Sequence, residues 1–211
     1  MCRRPVDSAA VSGFQTRPAG TAAVYLRPDL QEHCPTSRPV GPGTIPTLRT
    51  RLGGNRVYKK VEDISDPQNP AIVSEQNFLV DINSQLPVVL GQVDTASGSL
   101  ITSYVYADAQ VLCQRHHEPV DPNFYDVSYY VHDRLGSVRL VVVPEYDEQT
   151  QTWAVRAANS YTYTPFGSFY DGQCIENVAN PWKFTGQWHD EEIDQYHLRA
   201  RQYDPAMMRF I

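Results

Sequence analysis

The last thirty residues constrain the fold most, because apolar side chains alternate there with a period of two. One run covers 182–188 and a second covers 196–202, with an acidic segment between them. Alternation of this kind places every second side chain on the same face of a strand. Two such runs around a polar turn predict a terminal β-hairpin. The alternating positions are Trp182, Phe184, Gly186 and Trp188, then Tyr196, Leu198, Ala200 and Gln202.

Two arginines of the second run are expected to pair across this hairpin. Arg199 and Arg201 share the face opposite Leu198 and Ala200. Opposite charges on facing strands stabilise antiparallel pairs. The expected carboxylate partners are Asp190, Glu191 and Glu192.

Aromatic pairs earlier in the chain repeat this pattern. Each precedes an Asp, Pro or Gly turn and a returning strand, and their spacings of 26, 31 and 40 residues show a repeat in kind rather than in length. Because one hairpin is marginally stable alone, several must pair side by side or stack. We therefore predict an all-β fold of successive antiparallel hairpins in one curved sheet, with tyrosines on its inner face. The pairs are Tyr104/Tyr106, Tyr130/His132, Tyr161/Tyr163 and Arg201/Tyr203.

Composition supports strands and limits the classes of protein. The 211 residues include thirteen Tyr and three Met, which suits sheets better than helical bundles. No run approaches the ~18 apolar residues of a membrane-spanning helix, so we expect no membrane span. The arginines after Met1 have no apolar segment behind them, so we expect no secretory signal peptide, and the compartment stays open.

Charge and proline divide the chain near its first quarter. Residues 1–60 carry a net charge of +7 and residues 61–211 a net charge of −13. Residues 1–50 hold seven of the sixteen prolines, too many to bury an apolar core, so we predict a disordered tail there. The arginines of the tail form no helical stripe, and the acidic body repels phosphate. We therefore predict no nucleic-acid partner.

Three motifs in order resemble the RHS repeat-associated core of RHS/YD-repeat proteins. They are Tyr130–Arg139 (YVHDRLGSVR), Tyr161–Gly167 (YTYTPFG) and the closing stretch Phe184–Ile211. The turn Gly53-Gly54-Asn55-Arg56 before a strand also resembles one YD-type unit. The resemblance covers about residues 51–211 and leaves the tail out.

This resemblance implies a structural role. In the family, such sheets spiral into a hollow shell around a cargo polypeptide, and the core domain closes one end. It implies YD-repeat-like hairpins over 51–128 and a repeat-associated core over 129–211. The expected partner is a cargo or toxin polypeptide, or the rest of an RHS shell. Family members are often secreted or on the cell surface.

The family also often carries an aspartic self-cleaving activity, which makes the carboxylates candidates for catalysis. Two carboxylates forced together share a proton, so one acts as base and the other as acid. Asp204, before Pro205, fits a turn residue instead. In the family, the catalytic acids and the cleaved bond lie beyond the Arg209–Ile211 segment. We therefore expect a non-catalytic fragment, with the self-cleaving module as the weakest alternative.

Other candidate chemistry has a simpler interpretation. His116 and His117, with Glu118 and Asp121, suggest a metal site, but adjacent side chains of an extended segment point apart, so we expect a solvated loop. His189, beside the acidic segment, is interpreted as part of a charged turn. We expect no metal and no cofactor, and we expect the four cysteines to be buried or idle thiols. They are Cys2, Cys34, Cys113 and Cys174.

A second function remains open at this point. Exposed aromatic rings at Trp182 and Trp188 would suit a cell-surface adhesion or carbohydrate-binding protein. This interpretation requires both rings to be exposed on one face. Two turn positions also differ from the family pattern, since glycine is usual at both. Asp194 can adopt a left-handed conformation at modest cost, so we expect its turn to form, whereas Met208 is strained if its φ is positive.

Overall fold

The fold is all-β, as predicted. The computed structural model describes residues 44–50, 55–66, 68–83, 87–108, 110–118 and 125–211. These residues form fourteen strands and one short 3-10 helix, Phe184–Gly186, and they contain no α-helix. No helix in the described part of the chain is long and apolar enough to cross a lipid bilayer.

Ten strands form one open antiparallel sheet in which every strand pairs with its neighbours in the sequence. This order is the simplest arrangement of successive hairpins, and it needs only local connections. The strands are β1 (Thr44–Thr50), β2 (Arg56–Asp63), β3 (Ala71–Asp81), β4 (Val88–Asp94), β5 (Leu100–Ala107), β6 (Gln110–His117), β7 (Tyr125–His132), β8 (Val138–Asp147), β9 (Thr152–Ser160) and β10 (Ile175–Glu176).

The hairpin β7–β8 shows how the sequence specifies these units. Along β7, Tyr130 is buried, whereas the neighbouring Tyr129 is half exposed. The Asp133 side chain accepts the N–H groups of Leu135 and Ser137, both at 2.9 Å. Gly136 has a φ of +83°, which glycine adopts without strain. Alternation and turn chemistry therefore specify the same hairpin.

The large sheet is bent rather than flat. Among its described strand pairs, seven of nine contain a register shift. Bulges bend a strand and increase its twist. In a flat sheet, β2 and β9 would lie about 34 Å apart. Side chains of both strands nevertheless contact the segment 176–190. This segment reverses direction where the Lys183 N–H donates to the Gln187 carbonyl.

The terminal residues form a separate four-stranded sheet. The prediction of one continuous sheet ending in a single hairpin is therefore wrong here. The run 196–202 is interrupted at Arg199, which has a φ of +58° and turns the chain back so that Leu198 faces Arg201. The strands are β11 (Trp188–Asp190), β12 (Gln195–Leu198), β13 (Arg201–Asp204) and β14 (Arg209–Phe210).

The core lies between the inner face of the large sheet and the part of the chain that follows β10, which we call the terminal part. Trp188 contacts Phe78 of β3 edge to face, with ring centroids 5.2 Å apart. Trp182 contacts Tyr104 of β5 in the same way at 5.4 Å, and the two indoles lie 5.3 Å apart. Of the tyrosines predicted for the inner face, four belong to this core and Tyr106 packs against it, whereas Tyr203 does not. The four are Tyr104, Tyr130, Tyr161 and Tyr163.

Two expectations about boundaries need correction. Residues 44–50 were assigned to the disordered tail, but they form β1 and pair with β2. The tail assignment is wrong for these seven residues, because backbone pairing overrides their proline content; residues 1–43 lie outside the described residues. Tyr161 and Tyr163 also form no regular strand, since only an isolated bridge joins Tyr163 to Phe169.

Candidate functional site

A cavity of about 810 Å³ lies between the inner face of the large sheet and the segment 178–192. The sheet side of this inner cavity carries amides and hydroxyls together with aromatic and aliphatic side chains. Carboxylates stand on the other side at Glu191 and Glu192. Such a wall offers donors and acceptors to a ligand backbone without demanding one sequence. The lining includes Gln76, Gln92, Thr102, Gln114, Ser128, Asn180, Tyr104, Tyr125 and Trp188.

One group of buried charges joins the terminal sheet to β2. The Arg56 guanidinium donates to both oxygens of Asp190, at 2.6 and 2.5 Å. Lys59 Nζ donates to Asp190 at 3.2 Å and to Glu192 at 2.6 Å. Asp190 is completely buried. Burial alone would raise the pKa of Asp190, but the hydrogen bonds and charges of Arg56 and Lys59 outweigh it and hold this pKa well below its usual value.

A second buried group fixes the start of the terminal segment. Lys183 Nζ donates to Glu176 at 2.5 Å and to the Tyr161 hydroxyl at 2.9 Å. Asn159 and Asn180 donate to the same hydroxyl, at 2.8 and 3.3 Å. Burial raises the pKa of Glu176 although Lys183 stands beside it. Because all of these side chains hydrogen-bond to one another, the ion pair Lys183–Glu176 is a structural contact.

Sequence reasoning missed the partners of Asp190. Arg199 and Arg201 were expected to contact the acidic segment, but both are exposed, and Arg201 lies over the Phe210 ring at 4.0 Å. The prediction is wrong because β12 ends at Leu198, before either arginine. The available signal was the charge contrast between the first sixty residues and the rest, which makes the basic residues of β2 natural partners for the acidic terminal part.

His189 and Asp190 do not belong to a solvated turn. Both are buried strand residues of β11, which makes that interpretation wrong. The turn begins at the exposed Glu191. His189 Nε2 lies 3.0 Å from a carboxylate oxygen of Asp194, which has a φ of +52°. The expectation that Asp accepts a left-handed position there is confirmed.

The paired histidines lie in a strand instead of the expected loop. His116 and His117 are the last residues of β6 and pair with β7. The ring of His117 lies 2.8 Å from the Ser103 hydroxyl. Asp121 lies outside the described residues. Within the described part of the chain, no three His, Cys, Asp or Glu side chains are grouped to hold a metal ion.

Asp204 is the last residue of β13, and its side chain supports the turn that follows, as expected. Its side chain accepts the N–H of Met207 at 2.8 Å, and Met208 has a φ of +58°. Both observations confirm the turn and the strained methionine that the sequence predicts. Cys113 and Cys174 are free and buried, while Cys2 and Cys34 lie outside the described residues.

The two tryptophans required for an adhesive surface are not exposed. Trp182 is 8% exposed and Trp188 is 6% exposed. Both rings pack in the core between the two sheets. The prediction of a carbohydrate-binding face built on these two rings is therefore wrong.

Comparisons with known proteins give only weak matches. No protein-family model matches the chain, and no curated protein matches it. Among solved structures, the chain is similar to the crystal structures of TcdB2-TccC3-TEV and TcdB2-TccC3-Cdc42, at 16% and 17% identity and a TM-score of 0.47. The match covers 78% of this chain but spans only 7% of those chains. This likeness is too weak to assign a family.

Proposed function

We propose that this chain is a structural, non-catalytic β-module of the RHS/YD-repeat kind, whose inner face contacts part of a cargo polypeptide. The observation that carries the proposal is the inner cavity, because it is large, partly open and lined by side chains suited to a peptide backbone. A volume of about 810 Å³ accepts a few residues of extended chain and excludes a folded domain.

The chemistry of the cavity wall favours a polypeptide over a specific small molecule. Gln76 and Gln92 reach it from neighbouring strands, and each amide both donates and accepts hydrogen bonds. A peptide backbone presents the complementary groups at every residue. Tyr125 and Trp153 add aromatic surface for apolar side chains. A wall of amide groups and aromatic rings suits weak binding of many peptide sequences, which is what a shell around a cargo polypeptide requires.

The edge of the large sheet suits a second kind of partner. Among the described strands, β1 pairs with β2 and has no neighbour on its other side. A free edge offers backbone N–H and C=O groups to a further strand. The rest of an RHS shell would extend the sheet at this edge. The motifs Tyr130–Arg139 and Tyr161–Gly167 support this family over other all-β assemblies.

A photo-crosslinking experiment tests whether the inner face contacts polypeptide. Benzoylphenylalanine replaces Gln76, which lines the cavity, or Leu79, which is 49% exposed on the same strand and serves as the control. The probe is a fluorescent, unstructured peptide of Gly, Ser, Gln, Val and Tyr. We expect crosslinks from position 76 that unlabelled peptide competes away. Equal labelling from both positions would refute the proposed inner surface.

Absence of self-cleavage is the second part of the proposal. The Asp204 side chain accepts the N–H of Met207, so it has a structural role in the turn that follows β13. Intact-mass measurement after prolonged incubation between pH 4 and pH 8 should give one species of unchanged mass. A truncated product whose formation does not depend on protein concentration would establish the self-cleaving alternative.

A further inference from the structure

One side of β9 is a free sheet edge over most of its length. On the first side, β8 pairs with β9 from Thr152 to Ser160. On the other side, β10 pairs only with Asn159 and Ser160. No other described strand pairs with residues 152–157, which we call the β9 edge. In an antiparallel strand, every second residue directs its N–H and C=O away from the paired neighbour, so the β9 edge offers backbone donors and acceptors over about 20 Å.

Two large side chains of the β9 edge are apolar and exposed. Trp153 is 69% exposed and Val155 is 71% exposed. They lie on one face because they are two residues apart, and Trp153 contacts the Tyr146 ring of β8 with ring centroids 5.1 Å apart. The charge of Arg156, between them and Ala157, is paired with Glu145 at 3.3 Å. The β9 edge therefore combines unpaired backbone groups with an exposed apolar strip.

The β9 edge lacks the features that usually protect a free edge. Proteins blunt such edges with proline, lysine, bulges or very short strands, because an exposed apolar edge pairs with other chains. The stretch 152–157 (TWAVRA) contains neither proline nor lysine. Its pairing with β8 is regular, since the register shift lies beyond it, between Val141 and Val142. An edge of this length and composition is suited to the addition of a strand.

The position of the β9 edge favours the cargo polypeptide over a second copy of this chain. Trp153 lines the inner cavity, and so does Pro144, which lies opposite Val155 in the ladder. A strand added to β9 therefore continues into the cavity that we assign to cargo. Residues 61–211 carry a net charge of −13, so two copies of this part repel each other, whereas a neutral or basic segment is not repelled.

We propose that the β9 edge binds the cargo polypeptide as an added β-strand. This inference rests on the proposed function, since it assigns the backbone pairing of the same partner. The bound segment is extended, about six residues long, uncharged or basic, and apolar at every second position. Its apolar side chains cover Trp153 and Val155, and its backbone pairs with the outward N–H and C=O groups of the β9 edge.

N-methylated peptides test for backbone pairing on the full chain. The probe is a short fluorescein-labelled peptide that alternates threonine with valine or tyrosine and ends in lysine. Two versions carry N-methyl groups at alternate residues, so that each version blocks the N–H groups along one edge of the extended peptide. Because a strand pairs with β9 through one edge, we expect fluorescence anisotropy to show binding weakened about tenfold or more for one version and unchanged for the other. Equal binding of the two versions would overturn strand addition, while competed crosslinking from position 76 would still support the inner face.

An exposed valine provides a variant that tests the location of the added strand. Val155→Lys places a charge beside the partner strand, and we expect it to weaken binding of the unmethylated peptide about fivefold, the upper value for a cross-strand pair. Val131→Lys is the matched control and should leave binding unchanged, because Val131 is 42% exposed on β7, which lies between β6 and β8. Equal effects of the two variants, or no saturable binding of the unmethylated peptide, would overturn the assignment. So would a dimer in sedimentation that Val155→Lys dissociates, which would mean that the β9 edge pairs with a second copy.

Discussion

The large sheet and the terminal sheet are held together by different forces. In the large sheet, each strand pairs with its sequence neighbours over long backbone ladders. The terminal strands contain two to four residues, too short to be stable alone. Side chains far away in sequence hold them instead, as in the pair Arg56–Asp190, separated by 134 positions. The terminal part therefore depends on a few buried groups.

The largest expected effect comes from removing an indole that joins the two sheets. Trp188→Ala should lower the free energy of unfolding by about 4 kcal/mol, because a large buried ring leaves a cavity. Urea unfolding followed by circular dichroism measures this. The control is Trp153→Ala, a residue 69% exposed, which should cost less than ~1 kcal/mol. Similar losses for both would contradict the contrast between core and surface.

The buried carboxylate on β11 should matter nearly as much. Asp190→Asn keeps the shape but leaves Arg56 and Lys59 without their charge partner, so we expect a loss of about 3 kcal/mol. Glu191→Gln, at the next and exposed position, should change stability by less than ~0.5 kcal/mol. The same urea titration compares them. A loss below that of the control would show that the ion pairs do not hold the terminal sheet.

The effect of Asp190 should vanish in acid. Its pKa lies below the usual value of 3.8 in the folded protein, so the unfolded chain binds its proton first and stability falls as pH falls. The difference between wild type and Asp190→Asn should be full from pH 7 to pH 5 and shrink below about pH 4. Glu176, whose pKa is raised, acts in the opposite direction in both proteins. A difference independent of pH would contradict a charge-based role.

Two glycines allow the energetic cost of close packing to be distinguished from the cost of a positive φ. Gly167 has a φ of +94°, and a Cβ there would lie 2.6 Å from the Phe184 ring. Gly172 has a φ of +68° with open space around it. Gly172→Ala should cost about 1 kcal/mol through conformation, and Gly167→Ala about 2–3 kcal/mol through conformation and overpacking. Thermal and urea unfolding measure both; equal costs would mean that Phe184 moves freely.

The smallest effect is a gain. Met208 is 57% exposed with a φ of +58°. Met208→Gly should stabilise the protein by about 0.5 kcal/mol, since relief of the left-handed strain exceeds the entropy cost of glycine. Met207→Gly, equally exposed but without positive φ, should instead destabilise by roughly 0.5–1 kcal/mol. Two losses of equal size would show that the turn carries no strain.

The contrast between the large sheet and the terminal sheet also explains which features could be predicted from the sequence. Period-two burial and turn residues are local signals, so the hairpin β7–β8 and the turn at Asp133–Gly136 follow from them. The turn after Asp204 follows in the same way. The positive φ of Asp194 and Met208 was expected from the resemblance instead, because glycine is usual at both positions in the family. The division at residues 51–128 and 129–211 stays a prediction.

The buried contacts could not be predicted, because the alternation of apolar and polar residues shows which face a side chain occupies but not which residue it contacts. A period of two places Asp190 on a face, but it cannot show that Arg56 covers that face. The break at Arg199 was missed because arginine rarely adopts a positive φ, and the run 196–202 alternates without interruption. The burial of Lys183 beside Glu176 likewise depends on two segments meeting in space.

Hydrogen exchange measured by mass spectrometry tests the central claim most directly, that buried side chains fasten the terminal sheet to the inner face of a hairpin sheet. In the wild-type protein, we expect slow exchange in both Tyr129–Val143 and Trp188–Asp190, where His189 N–H donates to the Pro181 carbonyl at 2.8 Å. In Asp190→Asn, protection should fall over 188–204 and persist over 129–143. Fast exchange of Trp188–Asp190 in the wild type, or protection there unchanged by Asp190→Asn, would contradict the account.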